Sequence, residues 1–398
     1  SEFGGWLSMQ SIESPWNWGA SYQLNDYFNI STQYLHGNQV SVTGQIALNP
    51  NHPPLKGGRD LAPVPMRLRG TNALALETND EGVIRKVLAA DQFEIHRLEI
   101  ENATATAVIT NTKFRSTAQA VGRVASTLQR FTSDRIKFAN ISFYSGDLQI
   151  VTYRVNLEKI TREQFDPEAP TRGNASIIAV DMDAIPKKEK EKHFTWGVGP
   201  YIAHRLFNPD LPLSMETGIE VTAGYQIANG LEISGAIRKS VLTNFTDNKR
   251  RSNSALPHVH SDWVLYDLAG QSGHIHELKL SYFKNLAPGL YSKAHAGLLE
   301  RMYAGVGGEI LYKPAQWPIG IGLDIHHVWN RDYDMKFDLL DYQTTVGHVS
   351  LYYDAGGMFD IELNAGRYLA RDWGVTTTIS RQFGSGWIVG GYATLTDV

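Results

Sequence analysis

Pro318-Ile319-Gly320-Ile321-Gly322-Leu323-Asp324-Ile325-His326-His327-Val328-Trp329 separates into two rows. One row reads Ile319, Ile321, Leu323, Ile325, His327, Trp329; the other reads Gly320, Gly322, Asp324, His326. A period of two places successive side chains on opposite faces of a strand, here one apolar and one polar or small. The pattern recurs around it. Met215 to Ile227 alternate with Glu216, Gly218, Glu220, Thr222, Gly224 and Gln226. Leu278, Leu280 and Tyr282 oppose Glu277, Lys279 and Ser281. Phe359, Ile361 and Leu363 oppose Asp360, Glu362 and Asn364, and Trp373 to Ile379 oppose Gly374, Thr376 and Thr378.

Strands of about ten residues with carboxylates on their second face suit a soluble sandwich poorly, since strands there average about five to six residues. They suit a transmembrane β-barrel, whose strands need about nine to eleven residues, apolar outward and polar inward. Aromatic residues fall near strand ends, where interfacial girdles lie: Trp196, Tyr201, Tyr282, Tyr291, Tyr303, Tyr312, Trp317, Trp329, Tyr353, Trp373, Phe383 and Trp387. The alternative is a large soluble all-β protein.

Eleven strands are predicted, at 194–204, 213–227, 230–242, 274–286, 289–301, 305–313, 318–330, 341–354, 358–368, 373–384 and 386–397. Their connections alternate between short turns, such as Asn229-Gly230, and longer loops, above all Thr243 to Gly273 and Arg331 to Leu340. That is the outer-membrane pattern, with short turns in the periplasm and the long loops outside. Bacterial single-chain barrels have even strand numbers, so one further strand, about twelve in all, is expected.

The 398 residues carry 42% hydrophobic residues, a formal net charge of −4 and no Cys, and the mean hydropathy is −0.27. No run of about eighteen apolar residues exists, so a helical membrane protein is excluded. The charge speaks against nucleic acid. Without Cys there are no disulfides, thiolate nucleophiles or thiolate metal sites. Ser1-Glu2-Phe3-Gly4-Gly5 is neither a start nor a signal n-region, so an outer-membrane protein would be present here as a fragment or in processed form.

In order, residues 1–50 read as the last strands of a first barrel, a three-strand meander too small to stand alone. Its earlier strands are expected from missing sequence or another chain. Residues 51–68 are a Pro/Gly linker. Residues 69–165 mix strands and helices into a small α+β domain on the periplasmic side. There Ala73 to Glu77 reads as a strand, Asp80 opens one helix, and Ser116/Thr117 and Asn156 cap two more. Residues 166–192 form a second linker, ending in Lys187 to Lys192, which reads as a solvated charge run; its place just before a barrel strand also allows contact with lipid head groups. Residues 193–398 are the second, incomplete barrel.

Ten polar residues are expected to face the lumen: Glu216, Glu220, Glu232, Arg238, Glu277, Lys279, Asp324, His326, Asp360 and Glu362. Such charges must pair or be wet. They either cross-brace the wall or line a path for a hydrated polymer. His258, His260, Asp262, His274 and His276 gather in and after the long loop, but loop histidines are more often unliganded. His326 and His327 alternate across the wall and cannot chelate one ion. Asp332 and Asp334 lack the spacing of a Ca²⁺ loop. Gly305-Val306-Gly307-Gly308 has no helix after it to cradle a phosphate. No Gly-x-Ser-x-Gly elbow is present. The sequence assigns no catalytic, cofactor or metal residues.

Several longer strings carry a family likeness. They are Leu256 to Asp262 (LPHVHSD), Leu299 to Glu309 (LERMYAGVGGE), Gly366 to Gly374 (GRYLARDWG), Ser380-Arg381-Gln382-Phe383, Gly386-Trp387 and Ala393 to Val398 (ATLTDV). Together they resemble the YjbH family of outer-membrane proteins, which go with exopolysaccharide or group 4 capsule production and export. The likeness runs from about Trp16 onward. It implies two barrels in one chain with a small domain between, and a non-catalytic role in polysaccharide secretion or assembly. The implied partners are outer-membrane lipid and lipopolysaccharide, the exopolysaccharide, and other secretion proteins of its pathway. A structural envelope anchor and an outer-membrane enzyme are the rival readings.

Overall fold

The computed structural model describes residues 14–23, 28–46 except 36 and 38, 62–69, 79–165 except 147, 173–178, 194–207, 211–247 and 251–397 except 357–358 and 384–386. The chain is mainly β and divides into two units, 1–62 and 63–398.

The first unit holds an antiparallel meander of β1 (Trp18–Gln23), β2 (Phe28–Leu35) and β3 (Gln39–Ile46). Trp18 and Tyr22 are exposed, and β1 pairs only with β2 among the described residues.

In the second unit, α1 (Glu81–Ala90), β4 (Phe93–Glu101), β5 (Thr104–Asn111), α2 (Thr117–Phe131), β6 (Phe138–Ser145), β7 (Leu148–Asn156), α3 (Leu157–Glu163) and β8 (Ala175–Ile178) make an α+β body. Its sheet order is β4-β5-β6-β7-β8. β5 and β6 are parallel, which requires a crossover, and α2 supplies it. The caps expected from sequence are present. Asp80 accepts from Val83 N–H, Ser116 from Gln119 N–H, and Asn156 from Glu158 and Lys159 N–H. Val121, Val124, Ala125 and Leu128 recur at helical spacing and bury one face of α2 against Ile109, Ile141 and Val155. Arg123 is buried too, paired with Asp91 at 3.0 Å and stacked 4.6 Å from the Phe114 ring.

Both expected linkers contain ordered segments of the α+β body. β8 lies inside 166–192, where Ala175 to Ile178 complete the sheet against β7. At the end of 51–68, Arg67 donates to the carbonyls of Arg130 and Thr132, and the neighbouring Arg69 reaches those of Ile136 and Gln129. The two guanidiniums cap the C-terminal carbonyls of α2 and strap this segment to the body. Burial, then the neighbouring Arg67 charge, lowers the Arg69 pKa to about 10. The strand expected at Ala73 to Glu77 and the charge run 187–192 lie outside the described residues.

The rest of the unit is one antiparallel sheet of eleven strands: β9 (Phe194–Leu206), β10 (Leu213–Ala228), β11 (Leu231–Thr243), β12 (His274–Ala287), β13 (Leu290–Leu298), β14 (Tyr303–Tyr312), β15 (Ile319–Arg331), β16 (Leu339–Gly356), β17 (Phe359–Arg367), β18 (Trp373–Gln382) and β19 (Ile388–Thr396). Each pairs with its sequence neighbour, and β9 and β19 are the two ends of the order. At Asn229-Gly230 the turn needs Gly: its φ is 75°, and a Cβ there would sit 2.1 Å from the Phe283 carbonyl oxygen.

Strand existence matched the alternation, while some ends moved. β13 stops at Leu298 rather than 301, because Leu299 and Glu300 N–H both turn back onto the Tyr303 carbonyl. Gly305 to Gly308 therefore lie within β14. The long loop contains a helix that alternation could not show, α4 (Trp263–Ala269).

Candidate functional site

The register makes the two faces explicit. Ile310, Leu323, Val349, Ala365, Val375 and Leu395 stand side by side across β14 to β19. One residue over, Lys293, Glu309, Asp324 and His348 stand side by side across β13 to β16. The first row belongs to the exposed face: Leu323 is 55% exposed and Ile325 61%. The charged row is on the half-buried face. This inverts the arrangement of a water-soluble sheet, which keeps its apolar side chains covered.

All ten residues expected on the polar face share it, and most meet a partner. Arg238 and Glu220 are directly opposed and bonded at 2.5 Å. Lys279 pairs with Glu277 at 2.8 Å along one strand. Glu216 accepts from the Tyr201 hydroxyl at 2.9 Å, and Glu362 from the Asn364 amide at 2.8 Å. Asp324 lies 3.4 Å from His326 and 3.2 Å from His348. Glu232 stands between Gln226 and Ser281, and Asp360 between Asp354 and Ser380.

Further residues of this face were readable by extending the alternation into β13, β14 and β16. Lys293 bonds Glu309 at 2.8 Å, and Glu309 stands opposite Asp324. Two carboxylates in a cross-strand pair repel; the Lys293 ammonium bound to Glu309 offsets this. The His295 ring lies 5.0 Å from that of His326. Gly307 makes room for His326, whose Nδ1 would be 2.1 Å from a Cβ at that position.

Three of the expected girdle aromatics belong here instead. Tyr201, Tyr291 and Tyr303 are buried on the polar face, because each hydroxyl has an acceptor there: Glu216, the Ile150 carbonyl and the Val259 carbonyl. Trp196, Trp317, Trp373 and Trp387 are exposed.

At the long-loop end, the polar face is covered. Residues 251–273 of the long loop lie so that Asp267 of α4, with no side-chain exposure, binds Arg205 of β9 and Arg301 beside β14. Arg205 also stacks on Phe245 and Trp263 at 4.3 and 4.4 Å. A second tie is Arg331, fully buried, which donates to the carbonyls of Glu300, Ile275, Met335 and Lys336. Tyr266, Met302, Tyr303, Val328 and Met335 form a small apolar core beneath. Burial raises the pKa of the Tyr266 phenol, whose hydroxyl donates to the Arg331 carbonyl.

The loop histidines each find a local acceptor. His258 bonds Asp262 and the Ser254 carbonyl, both at 3.0 Å, and His260 bonds Glu300 at 2.9 Å. The Ser254 carbonyl raises the pKa of His258, and the Glu300 hydrogen bond raises that of His260. Among the described residues no three His, Asp or Glu converge as a metal site.

The α+β body docks at the opposite, short-turn end. Gln149 and Asn285 exchange two hydrogen bonds, Tyr291 donates to the Ile150 carbonyl at 3.0 Å, and Gln316 to that of Ile177 at 3.3 Å. The polar face thus has loops over one end and a folded body at the other.

Comparison with known proteins adds to this geometry. A curated relative from Escherichia coli (strain K12), named "Uncharacterized lipoprotein YjbH", is 23% identical over 435 residues. The match takes in 100% of this chain, which spans 58% of that relative's length. The profile of the YjbH family, "Exopolysaccharide biosynthesis protein YbjH", matches residues 2–398. Eleven alternating strands, a docked α+β body and a profile match over nearly every residue agree: the chain belongs to the YjbH family.

Proposed function

We propose that this chain is part of an outer-membrane β-barrel protein that takes part in exopolysaccharide or capsule secretion or assembly, without catalytic chemistry of its own. The observation that carries the reading is the inversion of faces across the eleven strands. Exposed apolar rows such as Ile310 to Leu395 need lipid against them, and the paired charges behind them need a wet interior. In this reading β9 to β19 form the second barrel's wall, and β1 to β3 are the last strands of a first. The short-turn end with its docked body faces the periplasm, and the loops 244–273 and 332–338 face outward. The family's description supplies the polymer, and the relative named a lipoprotein supports the envelope.

A structural anchor is the second reading. It is favoured by the loops that cover one end of the polar face through Asp267 and Arg331. Deletion separates the two. Polymer retained inside cells, with the other envelope proteins still assembled, supports secretion; normal export with a weakened envelope supports the anchor. Complete extraction of the chain as a soluble periplasmic protein, with no heat-modifiable migration on a gel, contradicts both.

A further inference from the structure

We infer that the long-loop end of the exposed apolar face, over β15 to β18, binds a phosphorylated glycolipid of the lipid A type, with Arg367 and Arg371 holding its phosphate. This rests on the barrel reading above, which supplies the membrane and its outer leaflet.

The face changes character along three neighbouring strands. From Ile319 on β15, Tyr353 on β16 and Phe359 on β17, its side chains are apolar or glycine as far as Ile325, Gly347 and Ala365. Beyond these, toward the long-loop end, come Arg367, His327, Thr345 and Gln343. His327 hydrogen-bonds Thr345 Oγ1 at 2.9 Å and Gln343 Oε1 at 3.3 Å. Trp329 stands opposite Gln343, and Trp373 opposite Arg367. Tryptophan favours the head-group level of a membrane, where a cation on the lipid face costs little. Gly347, between Ile325 and Arg367, leaves a cleft of about 370 Å³ lined by Leu323 and Val349 at its apolar side and by Arg367 and Trp373 at the other.

The two arginines have charge to offer. The ladder between β16 and β17 stops at Gly347 and Arg367, and the Thr345 and Gln343 carbonyls beyond it accept instead from Arg367 Nη1 at 3.2 Å and Arg371 Nη2 at 2.9 Å. Those carbonyls are two residues, or about 7 Å, apart along the strand, so both guanidiniums sit at one rim. A carbonyl does not neutralise a cation, and each guanidinium has further N–H donors. Arg371 also stacks 5.1 Å from the Tyr342 ring. Among the described residues neither arginine forms an ion pair: Asp341 and Asp372 nearby do not bind them, and Asp397 accepts from the Trp373 N–H at 2.8 Å. A phosphate meets guanidinium in paired, charge-assisted hydrogen bonds. With its phosphate there, the lipid lays its acyl chains along the cleft and the apolar rows, and Gln343 is placed to hydrogen-bond the sugar.

The test uses the whole chain, refolded in detergent micelles and shown to be folded by heat-modifiable migration. Native mass spectrometry reads how much lipid A, dephosphorylated lipid A and phosphatidylglycerol stays bound. Lipid A should be retained about tenfold over the other two. Arg367→Gln/Arg371→Gln should bring it down to the dephosphorylated level, and Arg367→Lys/Arg371→Lys, which keeps charge without the paired donors, should fall between. Lipid A retained equally with and without its phosphates overturns the site and leaves the barrel standing; that comparison needs no variant, so a misfolded variant does not spare it. Retention unchanged in the folded glutamine variant overturns it too. Phosphatidylglycerol held as well as lipid A overturns the glycolipid assignment. A chain that never inserts into micelles fails the barrel reading, and this inference with it.

Discussion

Gln149 and Asn285, 136 residues apart in the chain, hold each other through two hydrogen bonds: Gln149 N–H to Asn285 Oδ1 at 3.0 Å, and Asn285 Nδ2 to the Gln149 carbonyl at 2.9 Å. The asparagine amide presents the same donor and acceptor that a neighbouring strand would, so one side chain joins the α+β body to the rim of the large sheet. Both residues are buried. Asn285→Ala leaves the Gln149 backbone groups unpaired at a cost of about 1–3 kcal/mol. Hydrogen exchange of the Gln149 amide should then speed up markedly, while Ala107 and Ile141 in the body's core keep their protection. Unchanged exchange at Gln149 would show that Tyr291 and Gln316 hold the contact without it.

Asp267 is the pin of the loop cap. It has no side-chain exposure and serves both Arg205 and Arg301. Removing one partner of a buried ion pair costs about 3–5 kcal/mol. Asp267→Asn should free residues 251–273 and open the bond after Arg251 to trypsin, with the strands intact. A cleavage rate equal to that of the parent would mean that Arg331 and its four carbonyls carry the cap.

The His260–Glu300 contact makes part of this cap pH-dependent. The Glu300 hydrogen bond raises the His260 pKa above its ordinary value of about 6.5. A raised folded pKa means the stabilisation is complete below the unfolded value and is lost as pH climbs through the folded one. Both side chains are about half exposed, so the effect is small. Histidine NMR titration should show the His260 pKa falling back toward the ordinary value in Glu300→Gln. A pKa unmoved by that change would contradict the assignment.

The two faces predict opposite costs for adjacent residues. Leu323 stands in the apolar row and Asp324 beside it in the charged row. Leu323→Arg near the bilayer middle should destabilise by roughly 2–4 kcal/mol. Asp324→Asn keeps hydrogen-bonding capacity toward His348 and should cost less. Urea unfolding in lipid vesicles compares them, and a reversed order would shift the register by one residue.

What sequence showed and what it hid divide along physical lines. Period-two alternation is a local signal, so the strands and the facing of Glu216, Glu220, Arg238, Asp324 and Glu362 were legible. Tyr201, Tyr291 and Tyr303 were misplaced because position near a strand end does not say which face a ring occupies; their partners Glu216, Ile150 and Val259 do. β8 is four residues inside a polar stretch and gains its identity from pairing with β7. The cap was invisible, since Arg205 and Asp267 are 62 residues apart and nothing in either neighbourhood announces the other.

In the proposed barrel, the exposed apolar face meets lipid and the charged face meets water. The chain has no Cys, so single cysteines can be placed freely along β15 from Gly320 to His327 and labelled with a nitroxide. In reconstituted bilayers, labels at 321, 323 and 325 should be relaxed by oxygen, which concentrates in lipid. Labels at 320, 322, 324 and 326 should be relaxed by a water-soluble nickel chelate. Alternation of the two signals residue by residue is the predicted result; uniform access of the nickel reagent to both faces would contradict the account.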